Sequence, residues 1–385
     1  MAGLGRRLRR LSTAAVLAGC QLASGAHAPT PAGASRMLAV RQVAVATPAT
    51  LVAAVTGASS LNRTDRRWQI KGTDLGILWE GSSGDILAAF GDTFGAQWAG
   101  HGTVASPAAD AWRSNTLAYS RDRDLADGMT VDSFAHDDRG RARELLASRK
   151  VDGSEVTVVP TAGIAVGGRD YVHYMSVRQW ITHGRWTTNY SGIAWSDDDG
   201  DTWVKSPEAR WPNRTGVGDT FQMVAYARSD GFVYVFGTPS GRGGDVRLAR
   251  VPEPDLLHPA AYRYWDGAAW SPGLADAVPI VPAPVGELSV QYNAYLGQWT
   301  MLHVVSPPAG GERSIVLRSA DWPTGPWSAL QVLATSREHP GLYGGFIHPW
   351  SASSGDADLY FTMSLWEPYN VYLMRTTVGR QPAVR

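Results

Sequence analysis

KGTDLGILWEGSSGDILAAFGDTFG, residues 71–95, holds two short apolar runs, LGILWE and DILAAFGD, joined by Gly and Ser. Runs of this length, bounded by Gly, Ser and Asp, predict two β-strands in a hairpin and are too short for helices. The same phrase recurs from Arg67 onward. NTLAYS, DYVHYMSVRQW, SGIAWS, FQMVAYA, GFVYVFGTP, QWTMLHV, SIVLRS and DLYFTMSLW are each an apolar or aromatic run closed by turn residues. They group into five units at a spacing of roughly 60 residues, the signature of a β-propeller built from four-stranded blades. The expected fold class is therefore all-β, a five-bladed β-propeller over residues 65–380. RARELLAS, residues 141–148, is the one helical competitor, with a weaker helical stretch at 48–57.

Several units close on an Asp–Trp phrase: SDDDGDTW (196–203), YWDGAAW (264–270) and SADWPTGPW (319–327). The first matches the pattern S-x-D-x-G-x-T-W and predicts a structural turn between outer strands. It is a poor calcium loop, because placing Gly200 at the sixth position puts Trp195 and Ser206 where carboxylates belong. No spacing of His or Cys makes a metal site, so no metal and no cofactor are expected.

Composition narrows the partner. The chain of 385 residues carries 35 acidic and 35 basic side chains, so neither nucleic acid nor an anionic membrane surface is favoured. Sixteen Trp and 14 Tyr suit strand edges and also the stacking of sugar rings, which points to a neutral partner and a monomer. The first 28 residues read as a signal peptide with a basic start (Arg6, Arg7, Arg9, Arg10) and a short apolar stretch. It offers two ends. One is AHA, residues 26–28. The other is LAGC, a lipobox-like ending in Cys20, the single cysteine of the chain, where a lipid would anchor the protein to the membrane. Residues 29–64, rich in Ala, Pro, Thr and Val, read as a tether, and the mature domain is expected to work outside the cytoplasm.

The opening hairpin places Asp74 where its first strand begins and Asp92 where its second ends. With Trp79 opposite Ile86, Asp74 faces Gly91; with Glu80 opposite Ile86, it faces Asp92. Either register brings both carboxylates to the same end of adjacent strands, near enough to couple. Two neighbouring acids in unlike surroundings are what glycoside hydrolysis uses, one protonated and one ionised. The apolar flank LAAFG predicts the raised pKa, and the acid role, for Asp92; Lys71 and Thr73 predict an ionised Asp74 as base or nucleophile. The structural alternative is that both acids simply bond turn backbone.

TDLGILWE and GDILAAFGDTFG, together with NYSGIAWSDDDGDTW, PVGELSVQYNAYLGQW, YGGFIHPW and LYFTMSLWEPYNVYLM, resemble a family of bacterial endo-D-arabinanases. That family, found in mycobacteria and other actinobacteria, was formerly catalogued as a domain of unknown function. The likeness runs from about Asp65 to Arg375. It implies endo-hydrolysis of α-D-arabinofuranosyl linkages in cell-wall arabinogalactan and lipoarabinomannan, with the catalytic pair at Asp74 and Asp92. Strand logic adds substrate-facing candidates near the ends of leading strands: Asn115, Asn189, Gln222, Glu287, Gln291, Asn293, Tyr343 and His348. His348 in GFIHPW also reads as a packed core histidine, and Arg242 in SGRGGD reads either as a substrate contact or, by slight preference, as a hairpin tip. The rival functions are a non-catalytic carbohydrate-binding propeller and a glycosidase of another specificity.

Overall fold

A computed structural model describes residues 42–95, 98, 112–182, 184–214, 219–307, 310–353 and 355–382. The expected signal peptide and Cys20 lie outside the described residues. Five antiparallel sheets form the blades of a propeller. Their innermost strands are Leu75–Glu80, Thr157–Val166, Met223–Ser229, Leu288–Asn293 and Leu342–Ile347, and each touches the next in a closed ring. We number the blades 1 to 5 in that order. Among the described residues no helix is long and apolar enough to cross a membrane, and RARELLAS forms no helix.

Neighbouring blades pack face to face, so an inner strand has apolar contacts on both sides. For that reason Ile86–Phe90 is buried at every position and shows no alternation. Between blades 1 and 2 the indole of Trp79 occupies the space above Gly163, where a Cβ would come within 2.1 Å of the ring. Its Nε1–H donates to Asp170 at 3.0 Å, and Ser82 donates its hydroxyl to the same carboxylate at 2.6 Å. SDDDGDTW sits between the outer strands Arg185–Ser196 and Val204–Pro212 of blade 2, as its pattern predicts. There Asp198 accepts from the backbone N–H and hydroxyl of Thr202, at 2.7 and 2.6 Å. It is a turn, distant from the channel.

Blade 5 corrects the expected tether. Gln42–Ala46 and Thr50–Ala54 are strands, and both run antiparallel along the C-terminal strand Asn370–Pro382. Within the 48–57 stretch Thr50–Ala54 is a strand, and no helix forms there. Strands far apart in the described chain thus form one sheet, which closes the ring at blade 5. The composition of 42–54 hid this role, because ladder hydrogen bonds to a distant partner leave no local pattern.

The closing strand gives a test. Ala44 is 1% exposed against the core of blades 4 and 5. Ala44→Asp is expected to lower stability in urea unfolding by about 2–4 kcal/mol, the cost of burying an unpaired carboxylate. A tether would tolerate it.

Candidate active site

The opening hairpin adopts the Glu80–Ile86 register, but a bulge at Leu75 and Gly76 shifts its last pair. Both bulge residues lie in the left-handed region, with φ of +68° and +77°. That is ordinary for Gly76 and costly for Leu75. Blade 5 holds the bulge: Ser364 Oγ accepts from Leu75 N–H at 2.8 Å, and Thr362 donates its hydroxyl to Gly76 O at 2.7 Å. As a result Asp74 faces Gly91, one step from Asp92, and Gly91 N–H donates to Asp74 O at 3.1 Å. A Cβ on Gly91 would lie 2.3 Å from Asp74 Oδ1, so the missing side chain makes room for the carboxyl. Buried Thr73 and Thr93 share a 2.7 Å hydroxyl contact and tie the two Asp-bearing segments together.

The two carboxyls have different partners. Asp92 is 6% exposed, and its Oδ1 accepts from Thr157 Oγ1–H at 2.7 Å and Trp112 Nε1–H at 3.2 Å. Burial pushes its pKa up to about 6, while those two donors pull it down. Glu144 opposes its charge, and Lys150, which bonds Trp112 O at 2.8 Å and Glu144 at 2.9 Å, favours it. Asp74 Oδ2 accepts from Tyr343 O–H at 2.9 Å, and Tyr369 is a second donor. Its Oδ1 is buried and has no hydrogen-bond partner among the described residues. Burial first, then the neighbouring Asp92, push Asp74 up to about 7.

Both carboxyls are thus raised, Asp74 the more, whereas the flanking residues predicted a raised Asp92 beside an ionised Asp74. The apolar flank of Asp92 was read correctly as burial. What sequence could not show is that Thr157 and Trp112, from other parts of the chain, would stabilise its charge. The largest influences on Asp74 are burial, Asp92, Tyr343, Tyr369 and Glu287, and not the Lys71 expected to keep it ionised.

Asp92 lines a cavity of about 690 Å³ at one end of the propeller channel, with Glu287, Arg242, Arg313, Tyr343 and Tyr369 on its walls. Asp74 adjoins it through Leu75, Tyr343 and Tyr369. The hairpin carrying Trp180 and Trp186 covers one side. Glu287 takes a buried, two-pronged ion pair from Arg242, whose Nε is 2.9 Å from both carboxylate oxygens. Thus Asp74, Asp92, Glu287 and Tyr343 come together at one site.

The remaining candidates do not join them. Asn115 is fully buried and spends its amide on Leu146 O, Val158 O and Leu146 N–H, stapling blade 1 to blade 2. Asn189 donates to Ser154 O and Ser176, and Gln222 joins Thr188 to Trp211 O. Asn293 caps its own turn by accepting from Leu296 N–H. Gln291 lines a separate cavity of about 710 Å³ at the other end of the channel. His348 is wholly buried beside Trp350, and desolvation lowers its pKa to about 4. It is a core histidine. Strand ends lie at both ends of a channel and beside turns, so a polar residue there is as often a staple as a ligand. Arg242 was misjudged for the opposite reason: a Gly-rich turn hid a residue that folds inward. Trp112, Thr157 and Tyr369 carried no local signal at all. No group of His, Cys, Asp and Glu suited to a metal occurs among the described residues.

The sequence profile of a family described as "Domain of unknown function (DUF4185)" matches residues 59–375. Two fungal proteins are similar. Notoamide biosynthesis cluster protein J of Aspergillus sp. (strain MF297-2) is 35% identical over 317 residues, 78% of this chain and 81% of that protein. Notoamide biosynthesis cluster protein J' of Aspergillus versicolor is 33% identical over 314 residues, 78% and 82% of the two chains. A crystal structure from Bacteroides ovatus ATCC 8483, described provisionally as a hydrolase, superposes with a TM-score of 0.55 over 81% of this chain and 87% of that one. Their sequences are 15% identical, so the likeness is one of fold.

The raised carboxyls make stability depend on pH. Between the unfolded value of 3.8 and the folded value of about 7, native Asp74 binds more protons than the unfolded chain. Its contribution is therefore full below pH 4 and lost as pH rises toward 7. Asp74→Asn is expected to be more stable than the parent at pH 8 by about 2–4 kcal/mol, with little difference at pH 4, in urea unfolding.

Proposed function

The chain belongs to the DUF4185 family, and from that premise we propose that it is an exported, endo-acting glycoside hydrolase. The observation that carries this reading is the pair Asp74 and Asp92. Two adjoining buried acids are held at unequal proton affinity by unlike partners, beside one cavity. In the proposed reaction the Asp74 carboxyl gives its proton to the glycosidic oxygen as that bond breaks. The Asp92 carboxylate meets the opposite face of the sugar, either by taking a proton from an attacking water or by bonding the anomeric carbon itself. Oδ1 of Asp74, lacking a protein partner, is the natural place for the proton. Tyr343 and Tyr369, whose pKa values burial raises well above the ordinary range, stay neutral, and Tyr343 keeps Oδ2 occupied. No metal or cofactor enters these steps.

The proposed substrate is the α-D-arabinofuranosyl polymer of cell-wall arabinogalactan and lipoarabinomannan, acted on in the envelope by a monomer. This finer assignment rests on the sequence resemblance around the hairpin. Trp180, Trp186 and Trp366 on the cavity walls are consistent with it, since flat aromatic faces suit sugar rings. The cavity also favours a second reading. Val156, Val159, Met175, Met223, Leu288 and Phe346 make much of its lining apolar. The fungal relatives are named for a biosynthesis cluster. In that reading the same acid pair serves proton transfer on an apolar small molecule.

Incubation of the full chain with purified mycobacterial arabinogalactan tests the first reading. A ladder of arabino-oligosaccharides is expected, with a rate that peaks between about pH 6 and 7, where Asp92 is ionised and Asp74 still protonated. Absence of new reducing ends at every pH from 5 to 8 would favour the small-molecule reading.

A further inference from the structure

Arg242 sits inside the molecule. Its side chain is 12% exposed, and its guanidinium grips both oxygens of Glu287. Cζ lies 5.1 Å from the ring centroid of Tyr343 and 5.6 Å from that of Trp186. Its backbone N–H donates to Gly184 O at 3.1 Å, in the turn of the hairpin that covers the cavity. Its aliphatic stem packs on Gly286, where a Cβ would come within 3.0 Å of Arg242 Cγ. One side chain thus reaches three walls of the cavity.

These contacts converge on Asp74. Four other groups face that carboxyl: Asp92 and Glu287, which disfavour its charge, and Tyr343 and Tyr369, which donate to it. Arg242 is the larger of two cations that offset Glu287, with Arg313 the other, and it feels Asp74 directly. A buried carboxylate stripped of its partner raises the proton affinity of its neighbours. A cation over the face of Tyr343 also makes the phenol a stronger donor to Asp74 Oδ2. Both effects have the same sign.

We propose that Arg242 is a positioning residue for the acid: by neutralising Glu287 and clamping Tyr343 it fixes the proton affinity of Asp74 and ties that acid to the covering hairpin. The role assigned to Asp74 rests on the proposed function, but the electrostatic coupling can be measured without any substrate. The full chain, labelled with ¹³C at the Asp carboxyls, is titrated from pH 4 to 9, and the Asp74 signal is assigned by its loss in Asp74→Asn. Arg242→Gln is expected to raise the Asp74 midpoint by about one unit or more, because a compensating cation is gone. Glu287→Gln is expected to lower it by a similar amount, and the double variant to return within about half a unit of the parent. Glu287→Gln supplies the same test if Arg242→Gln does not fold. An unmoved midpoint in either single variant overturns the proposal, as does a double variant shifted as far as the single. Failure to hydrolyse arabinan would leave this result unaffected.

Discussion

The bulge at Leu75 and Gly76 is the constraint on which the site depends. A regular strand would carry its side chains past Gly91 in strict alternation and set Asp74 opposite Asp92. The bulge breaks that register, and it persists because Ser364 and Thr362 of the adjacent blade bind its backbone. Those residues are nearly 300 positions away in sequence. The closed ring is what brings them there, so the pairing of Gln42–Ala46 and Thr50–Ala54 with the last strand serves the site as well as the fold. Strain in a left-handed Leu is retained only where the surroundings over-determine it.

Given that placement, the chemistry follows from unequal solvation of two identical groups. Both aspartates lose water, which favours their neutral forms. Asp92 recovers two hydrogen bonds on one oxygen, with Glu144 and Lys150 acting on it in opposite senses, whereas Asp74 keeps one bare oxygen beside Asp92. The difference raises Asp74 further than Asp92. Arg242 extends this logic one layer outward, because without it Glu287 would keep only Arg313 to offset its charge in the same wall.

Much of the blade architecture was legible in sequence because short buried strands and tight turns leave local marks. LGILWE, DILAAFGD and SDDDGDTW each fold as their own residues dictate. The meeting of Asp74, Asp92, Glu287 and Tyr343 was legible too, since strand ends fall on known sides of a hairpin. What failed had its cause elsewhere in the chain. Residues 42–54 looked like a tether because their partner is the last strand. Asn115 and Gln222 looked substrate-facing because their staples join separate blades. The flanks predicted a raised Asp92 beside an ionised Asp74, but both are raised, because burial and Asp92 act on Asp74 while Trp112 and Thr157 reach Asp92 from outside its neighbourhood. Composition around a titratable group reports its burial, but not the donors that tertiary structure brings to it.

The central claim is that Asp74 gives a proton and Asp92 carries the charge. It is tested most directly by comparing Asp74→Asn and Asp92→Asn on arabinan polymer and on a nitrophenyl arabino-oligosaccharide, whose leaving group needs no protonation. The account expects Asp74→Asn to lose polymer cleavage by at least about 10²-fold while keeping much of its activity on the activated substrate, and Asp92→Asn to lose both. A folded Asp74→Asn that still cleaves polymer at the parent rate, or the reverse pattern between the two variants, would contradict it.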